Sequence, residues 1–321
     1  MSFRFKNKLM HFFALFLVYS FVKSEIKEIN CIHEAEMVFE QATKEDLFVF
    51  DIDDVLFEPI EHMMQSRFYL SDPELKKIFD NFNTFILTKK NPESFRKTIA
   101  SKIRLKSKNQ PVEKALISKI LSLQKRNIKI IALTSFKTGE FGLIEHLEDW
   151  RYKDLVSLGL DFSLSFEQQK ILFDELATTE YPSKYKIEKG VDPSPAIFYK
   201  GVACTGCFPK GIVLKAFIEK IGWRPSQIYF FDDQVKNTES VVQEMDKLKI
   251  KCQAFVYKAA TFNRSKDDMD IEVVKFQHEL IKQKNDYVSY FEAKELLAHI
   301  KNNCKDSLLP VRDKPYWFIN A

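Results

Sequence analysis

Net charge is the first thing this sequence has little of. The 321 residues carry +4. Arg4, Lys6, Lys8 and Lys23, with no acid among the first 24 residues, account for all of it, so the remainder is neutral. A nucleic-acid-binding domain needs a basic patch on its folded surface, which excludes nucleic acid as a partner class. Long apolar runs are also scarce. Residues 10–22, broken only by His11 and Ser20, fall short of the roughly 20 residues that a membrane-spanning helix needs. Metal-ligating cysteine patterns are missing too. Of five cysteines only Cys204 and Cys207 lie close together. With no second CxxC and no histidine pair at ligand spacing, a zinc site is disfavoured. Phe208-Pro209 and Lys210-Gly211 follow the pair, whereas a thioredoxin-like site needs it at a helix start after a strand. A disulfide across a tight turn stays open to the pair in an oxidising compartment. The odd count leaves at least one thiol free.

What is present begins with targeting. The basic head, the short apolar segment and the small residues of Val22-Lys23-Ser24 have the layout of a secretory signal peptide over residues 1–24. An uncleaved N-terminal anchor is the alternative; after cleavage no stable membrane anchor remains. The protein is therefore expected to be exported, periplasmic or secreted. The rest, in a chain 45% apolar and 29% charged, is of ordinary globular composition and long enough for a full core and a smaller second unit. Thirty phenylalanines are expected to pack that core and whatever covers it.

The chain is organised around Phe48-Val-Phe-Asp51-Ile-Asp53-Asp54-Val-Leu-Phe57. Four apolar residues, Leu47 to Phe50, are too few for a stable helix and read as a buried strand, which in a parallel sheet need not alternate. Three carboxylates follow within four residues, at the end of a strand where open α/β sheets place their ligands. Carboxylates so close repel, so a positive group belongs among them, most simply a divalent cation. The bland alternative is that Asp51 and Asp53 merely close a strand and cap a helix.

Further along, residues 34–42 read as a helix. Residues 60–70, 73–80 and 92–103 read as helices with no strand between them, Pro73 and Pro92 suiting first turns behind Asp72 and Asn91. Residues 58–110 are thus expected to be a helical insertion whose basic run, Lys97, Lys102, Arg104, Lys106 and Lys108, forms a solvated face. A helix from Pro111 to Lys125 leads to a second apolar strand ending in Thr134 and Ser135. Residues 143–147 and 152–158 suggest helices, and a second insertion or extended loop covers about 136–195. Residues 196–204 read as a β-hairpin turning at Lys200-Gly201. A helix opened by Pro209-Lys210-Gly211 is closed by Gly222. A third strand ends in Asp232-Asp233, a helix carrying Asn237 follows, and residues 250–257 make a fourth strand. Two helices, 270–284 and 291–301, finish the chain before a tail with Tyr316-Trp317-Phe318. Alternating strands and helices predict a parallel sheet with its reactive ends along one edge.

Asp51-Ile-Asp53-Asp54-Val, Thr134 after its strand, Lys210 at a helix start and Phe230-Phe-Asp232-Asp233 occur in that order. They resemble the four motifs of the haloacid-dehalogenase superfamily, across residues 47–238. Phe-Asp-Ile-Asp-Asp after a signal peptide is similar to periplasmic acid phosphatases with paired-aspartate motifs. Tyr199-Lys-Gly201, Lys210-Gly211, the later aspartates with Asn237 and Tyr287-Val-Ser-Tyr-Phe-Glu-Ala293 look closer to little-characterised exported members of the superfamily, mostly from host-associated bacteria. Val55 departs from the threonine commonest at its position.

The resemblance implies a Rossmann-like three-layer α/β/α core from residues 25–57 and 111–321, with 58–110 as a helical cap that selects substrate. It implies an Mg²⁺-dependent phosphatase acting on a small phosphorylated substrate. Asp51 would be the nucleophile, forming an aspartyl-phosphate that splits one hard step into two. Asp53 would protonate the leaving oxygen and later activate water. Thr134, with Ser135 as a possible sharer, and Lys210 would hold the phosphoryl oxygens. Asp51, the backbone carbonyl of Asp53 and Asp232 would ligate Mg²⁺, supported by Asp233 and Asn237. Two other classes compete. A binding or effector protein could keep this fold without turnover, although four intact site residues argue against that. A dehalogenase or phosphomutase is disfavoured, because a dehalogenase has no need of Asp53 and none of Mg²⁺.

Overall fold

A computed structural model describes residues 24–65, 72–178, 194–263 and 269–306. The segment read as a signal peptide (but for Ser24) and the aromatic tail lie outside the described residues.

Among the described residues ten strands and eleven α-helices follow in chain order. They are β1 (Glu25–Ile29), α1 (Glu36–Gln41), β2 (Leu47–Phe50), β3 (Phe57–Pro59), α2 (Pro73–Leu87), α3 (Pro92–Lys106), β4 (Asn109–Pro111) and α4 (Lys114–Lys125). Then come β5 (Lys129–Thr134), α5 (Leu147–Ser157), β6 (Lys170–Leu172), α6 (Asp174–Thr178), β7 (Ile197–Tyr199), β8 (Val202–Cys204) and α7 (Lys210–Ile221). Last are β9 (Gln227–Asp232), α8 (Val235–Leu248), β10 (Lys251–Tyr257), α9 (Ala259–Phe262), α10 (Ile271–Lys284) and α11 (Tyr290–Asp306). The fold is mixed α/β around a mostly parallel sheet of order β1-β10-β9-β2-β5-β8-β7-β6. Strands β1, β10, β9, β2, β5 and β8 run parallel, and β7 alone reverses.

Side-chain alternation explains the layering. Phe48, Phe50, Ile130, Ala132, Tyr229 and Phe231 face one way and pack with α1, α4 and α5. Leu47, Val49, Ile131, Leu133, Ile228 and Phe230 face the other and pack with α7 and α8. Phenylalanine fills the first face: Phe50 to Phe231 and Phe231 to Phe255 stack with ring centroids 5.0 and 4.6 Å apart. Such pairs add about 1 kcal/mol beyond their area burial. The hairpin turns where expected, with Lys200 and Gly201 both at positive φ, 47° and 83°. That is the geometry of a two-residue turn matching strand twist.

Short and polar elements depart from the expectations. β1 reads EIKEI, and its burial pattern is exposed at four of five positions. Apolar periodicity could not reveal this edge strand, which β10 holds by backbone pairing. Residues 57–65 begin not with a helix but with β3, antiparallel to β4, and then a single turn at His62–Met64; residues 66–71 lie outside the described set. Strands of three residues are too short to show alternation. One helix, α5, replaces the two expected over 143–158. The irregular stretch includes β6 and α6, which pack beside β7, and residues 179–193 lie outside the described set. Helices α2 and α3 start as expected, Asp72 accepting from Glu74 and Leu75 N–H groups and Asn91 from Ser94.

Helices α10 and α11 do not join the sheet layers. Ile281, and Tyr287 just beyond α10, pack on Phe82, Ile86 and Ile99 of the inserted pair. Buried Glu61 accepts from the Tyr290 N–H and from Gln277 Nε2 at 3.1 Å. The basic run of α3 is therefore not a solvated face throughout. Lys102 pairs with Asp286 at 2.9 Å, and Lys106 donates to the Tyr287 carbonyl. No helix among the described residues is long and apolar enough to cross a membrane.

His278 is buried against Phe82, ring centroids 4.6 Å apart, and its Nδ1 has no partner. Burial, with Lys282 adding, lowers its pKa from 6.5 to about 4. The unfolded chain takes up a proton below 6.5 that the folded chain refuses until about 4. Stability is therefore lost as pH falls through that window, by about 3 kcal/mol in all. Denaturant midpoints compared at neutral pH and at about pH 4.5 should fall further for the wild type than for His278→Leu. Equal falls would assign the acid sensitivity elsewhere.

Candidate active site

After the edge strand β1 the chain crosses to the middle of the sheet at β2, moves to β5 and β8 on one side, then returns to β9 and β10 on the other. The crevice at such a reversal is where open α/β sheets bind ligands. The register pairs Phe50 with Phe231, so one step on Asp51 lies beside Asp232, its N–H donating to the Phe231 carbonyl at 2.8 Å. Parity then assigns faces. Leu47, Val49 and Asp51 alternate to the side that α7 covers, as do Ile228, Phe230 and Asp232. Lys210, the first residue of α7, meets both carboxylates there.

The Lys210 Nζ is 2.6 Å from Asp51 Oδ1 and 2.6 Å from Asp232 Oδ2, and the lysine is 1% exposed. Asp51 Oδ1 also accepts the Ile52 N–H at 2.7 Å. Asp232 Oδ1 accepts from the Gln234 N–H and Asn237 Nδ2, each at 2.9 Å. Carboxylate oxygens of Asp51, Asp232 and Asp233 lie within 4.8 Å of one another. Burial pushes the Asp51 carboxyl well above its usual range; Lys210 opposes this and Asp232 adds to it. Burial pulls Lys210 down, but Asp232 and Asp51 outweigh it and hold the ammonium charged. Burial, then Asp232, raises Asp233. With all three acids ionised, three carboxylates against one ammonium leave two negative charges, and an all-oxygen donor set of that charge suits a hard divalent cation.

Asp53 is placed differently. Asp54 adopts a left-handed φ of 60° and its N–H donates to the Phe57 carbonyl, while the Leu56 and Phe57 N–H groups return to the Ile52 carbonyl. This tight loop leaves Asp53 half exposed, with its Oδ2 3.1 Å from Arg151 Nη2. Arg151 comes from α5, on the opposite side of the sheet from α7. It also pairs with Asp154 at 3.3 Å and lies over the Phe136 ring at 4.1 Å. Thr134 ends β5 beside β2, buried, its carbonyl accepting the Thr205 N–H; Ser135, next in line, is exposed. The structure thus brings Asp51, Lys210, Asp232, Asp233 and Asn237 together and sets Asp53 with Arg151. Cys204 and Cys207 are both free, and burial pushes the Cys204 thiol up to about 12.

Sequence reasoning missed Arg151, because an arginine in a mixed-charge helix carries no motif. Arg104, taken as solvated, turns inward over Phe141 at 4.8 Å. Both line a cavity of about 320 Å³ beside Asp53, with Phe136, Trp150 and Asn109.

Residues 28–290 match a family described as Protein of unknown function (DUF2608). The chain belongs to the DUF2608 family. The match encloses every site residue named above. Two relatives are uncharacterized proteins. One, from Rickettsia bellii (strain RML369-C), is 28% identical over 189 residues, 54% of this chain and 61% of the relative. The other, from Rickettsia felis (strain ATCC VR-1525 / URRWXCal2), is 24% identical over 250 residues, 72% of this chain and 75% of the relative. The chain therefore covers less than two thirds of the first relative's length. No solved structure matches the chain.

Two substitutions test this DUF2608 centre. Lys210→Met leaves buried carboxylates without their cation and should destabilise the fold by about 3–5 kcal/mol, read from denaturant unfolding. Gly211 packs α7 against α8 so closely that an added Cβ would lie 2.0 Å from the Ser240 carbonyl oxygen. Gly211→Ala should lose about 1–3 kcal/mol by overpacking; unchanged stability would show that α7 can shift and that Lys210 is not held by this contact.

Proposed function

We propose that this protein is an exported, Mg²⁺-dependent phosphomonoester hydrolase of haloacid-dehalogenase type, acting through an aspartyl-phosphate on Asp51. The observation that carries the reading is the buried Lys210 ammonium joined to both Asp51 and Asp232, with Asp53 two residues beyond the nucleophile. In this reading the inserted helices, with α10 and α11 packed on them, form the cap. Residues 1–24 direct export.

Lys210 and the Ile52 N–H occupy Asp51 Oδ1, which leaves Oδ2 to attack phosphorus in line with the leaving oxygen. Asp53 hands that oxygen a proton as the ester bond breaks. It then takes a proton from water, which attacks the phosphorus of the aspartyl-phosphate and releases phosphate. Lys210 opposes the effect of burial on Asp51, favouring its ionised form, and neutralises phosphoryl charge, and Thr134 donates a hydrogen bond to it. Asp51, Asp232, Asp233 and the Asp53 carbonyl are the oxygens that would hold Mg²⁺, which supplies charge neutralisation at the phosphoryl group. Asn237 keeps Asp232 oriented.

A second reading draws on the engagement of Asp53 by Arg151: a protein that binds a phosphorylated ligand without turning it over. Hydrolysis of a generic aryl phosphate by residues 25–321 separates the two. The hydrolase requires Mg²⁺-dependent turnover, lost with chelator and reduced about a thousandfold or more in Asp51→Asn. Mg²⁺ binding without turnover of any phosphomonoester favours the binding protein, and no Mg²⁺ binding overturns the site.

A further inference from the structure

The cavity beside Asp53 holds two arginines in unlike circumstances. Arg151 is neutralised by Asp53 and Asp154. Among the described residues Arg104 has no carboxylate partner. Its guanidinium donates only to the Ala100 carbonyl of its own helix, at 3.3 Å, and lies over the rings of Phe141 and Phe136. Asp53 attracts it only from a distance, because its carboxylate is engaged by Arg151. Burial, with Arg151 nearby, lowers Arg104 to about 10, still well above neutrality, so the charge stays.

A largely desolvated cation without a counter-ion is costly unless a ligand supplies one. The planar guanidinium suits a bidentate anion. Position says which part of the ligand this would be. The same cavity reaches Asp53, which in the proposed reaction stands at the leaving oxygen, so Arg104 faces the leaving group and not the phosphoryl group at Asp51. The volume, about 320 Å³, is at the small end of ligand sites and suits a small leaving group.

We propose that Arg104 is the specificity-determining residue for a small phosphomonoester whose leaving group carries a second anionic group, a carboxylate or another phosphate. This rests on the hydrolase reading. Neutral alcohols of the same size would leave Arg104 desolvated and unpaired, and so would be discriminated against.

Calorimetry on residues 25–321 tests this with non-hydrolysable phosphonates: propylphosphonate, phosphonopropionate and propylenebisphosphonate. Wild type should bind one or both doubly anionic probes about tenfold or more tighter than propylphosphonate, the gain expected of a charge-assisted pair. The stronger of the two identifies the second group. Arg104→Gln should abolish that preference, so that the doubly anionic probes bind no tighter than propylphosphonate; Arg104→Met, which keeps the stem over Phe141, serves if the first variant fails to fold. Equal binding of all three probes by wild type, or a preference intact in the variants, overturns the proposal. Binding of none would overturn the hydrolase reading itself, and this inference with it.

Discussion

One buried ammonium organises the centre of this molecule. Lys210 is nearly inaccessible and lies between two carboxylates that would otherwise repel each other inside the sheet's edge. Each of the three would be unfavourable alone in a low-dielectric setting. Together with the backbone N–H groups of Ile52 and Gln234 and the Asn237 amide, they form a hydrogen-bonded set that still carries excess negative charge through Asp233. Breaking any member leaves a desolvated charge behind, so the positions of β2, β9 and α7 are tied together by electrostatics as much as by packing.

The pleat of the sheet separates the chemistry into two compartments. Alternation sends Asp51 and Asp232 toward α7 and α8, and Gly211 lets α7 approach α8 closely enough to deliver Lys210. Past the strand the chain turns through Asp54 at positive φ, and Asp53 emerges against α5 and its Arg151. Two carboxylates only two positions apart thereby receive different electrostatic surroundings, Asp51 an ammonium and Asp53 a guanidinium held by rings. In the proposed reaction this division assigns phosphoryl charge to one side and the leaving group to the other.

The helical unit over that second compartment comes from two distant parts of the chain. The insertion after β3 supplies α2 and α3, and the C-terminus supplies α10 and α11. They meet through Phe82, Ile86, Ile99, Ile281 and Tyr287, and through the Glu61 carboxylate received at the start of α11. A helical unit built this way is joined to the core by the β3–β4 ladder. That limits how it could move relative to Asp53, and it keeps Arg104 close to the site.

Much of the frame was legible in the sequence. Short apolar runs ending in Asp51, Thr134 and Asp232 announced parallel strands, because burial on both faces leaves a run without alternation. Proline, asparagine and glycine marked helix ends and the hairpin through backbone preferences that act locally. What stayed hidden was of another kind. The polar strand β1 exists only because β10 offers it hydrogen-bonding groups, and β3 and β4 are too short to pattern. Arg104 looked like one more basic residue on a helix, and Arg151 looked like nothing in particular. Local pattern specified which residues could form strands, where those strands ended in carboxylates, and that a lysine opened a helix. It took the folded chain to bring Lys210 to both aspartates, to set Arg151 on Asp53, and to leave Arg104 without a carboxylate partner among the described residues, because charge pairing depends on which surfaces meet in space, and local sequence does not encode that.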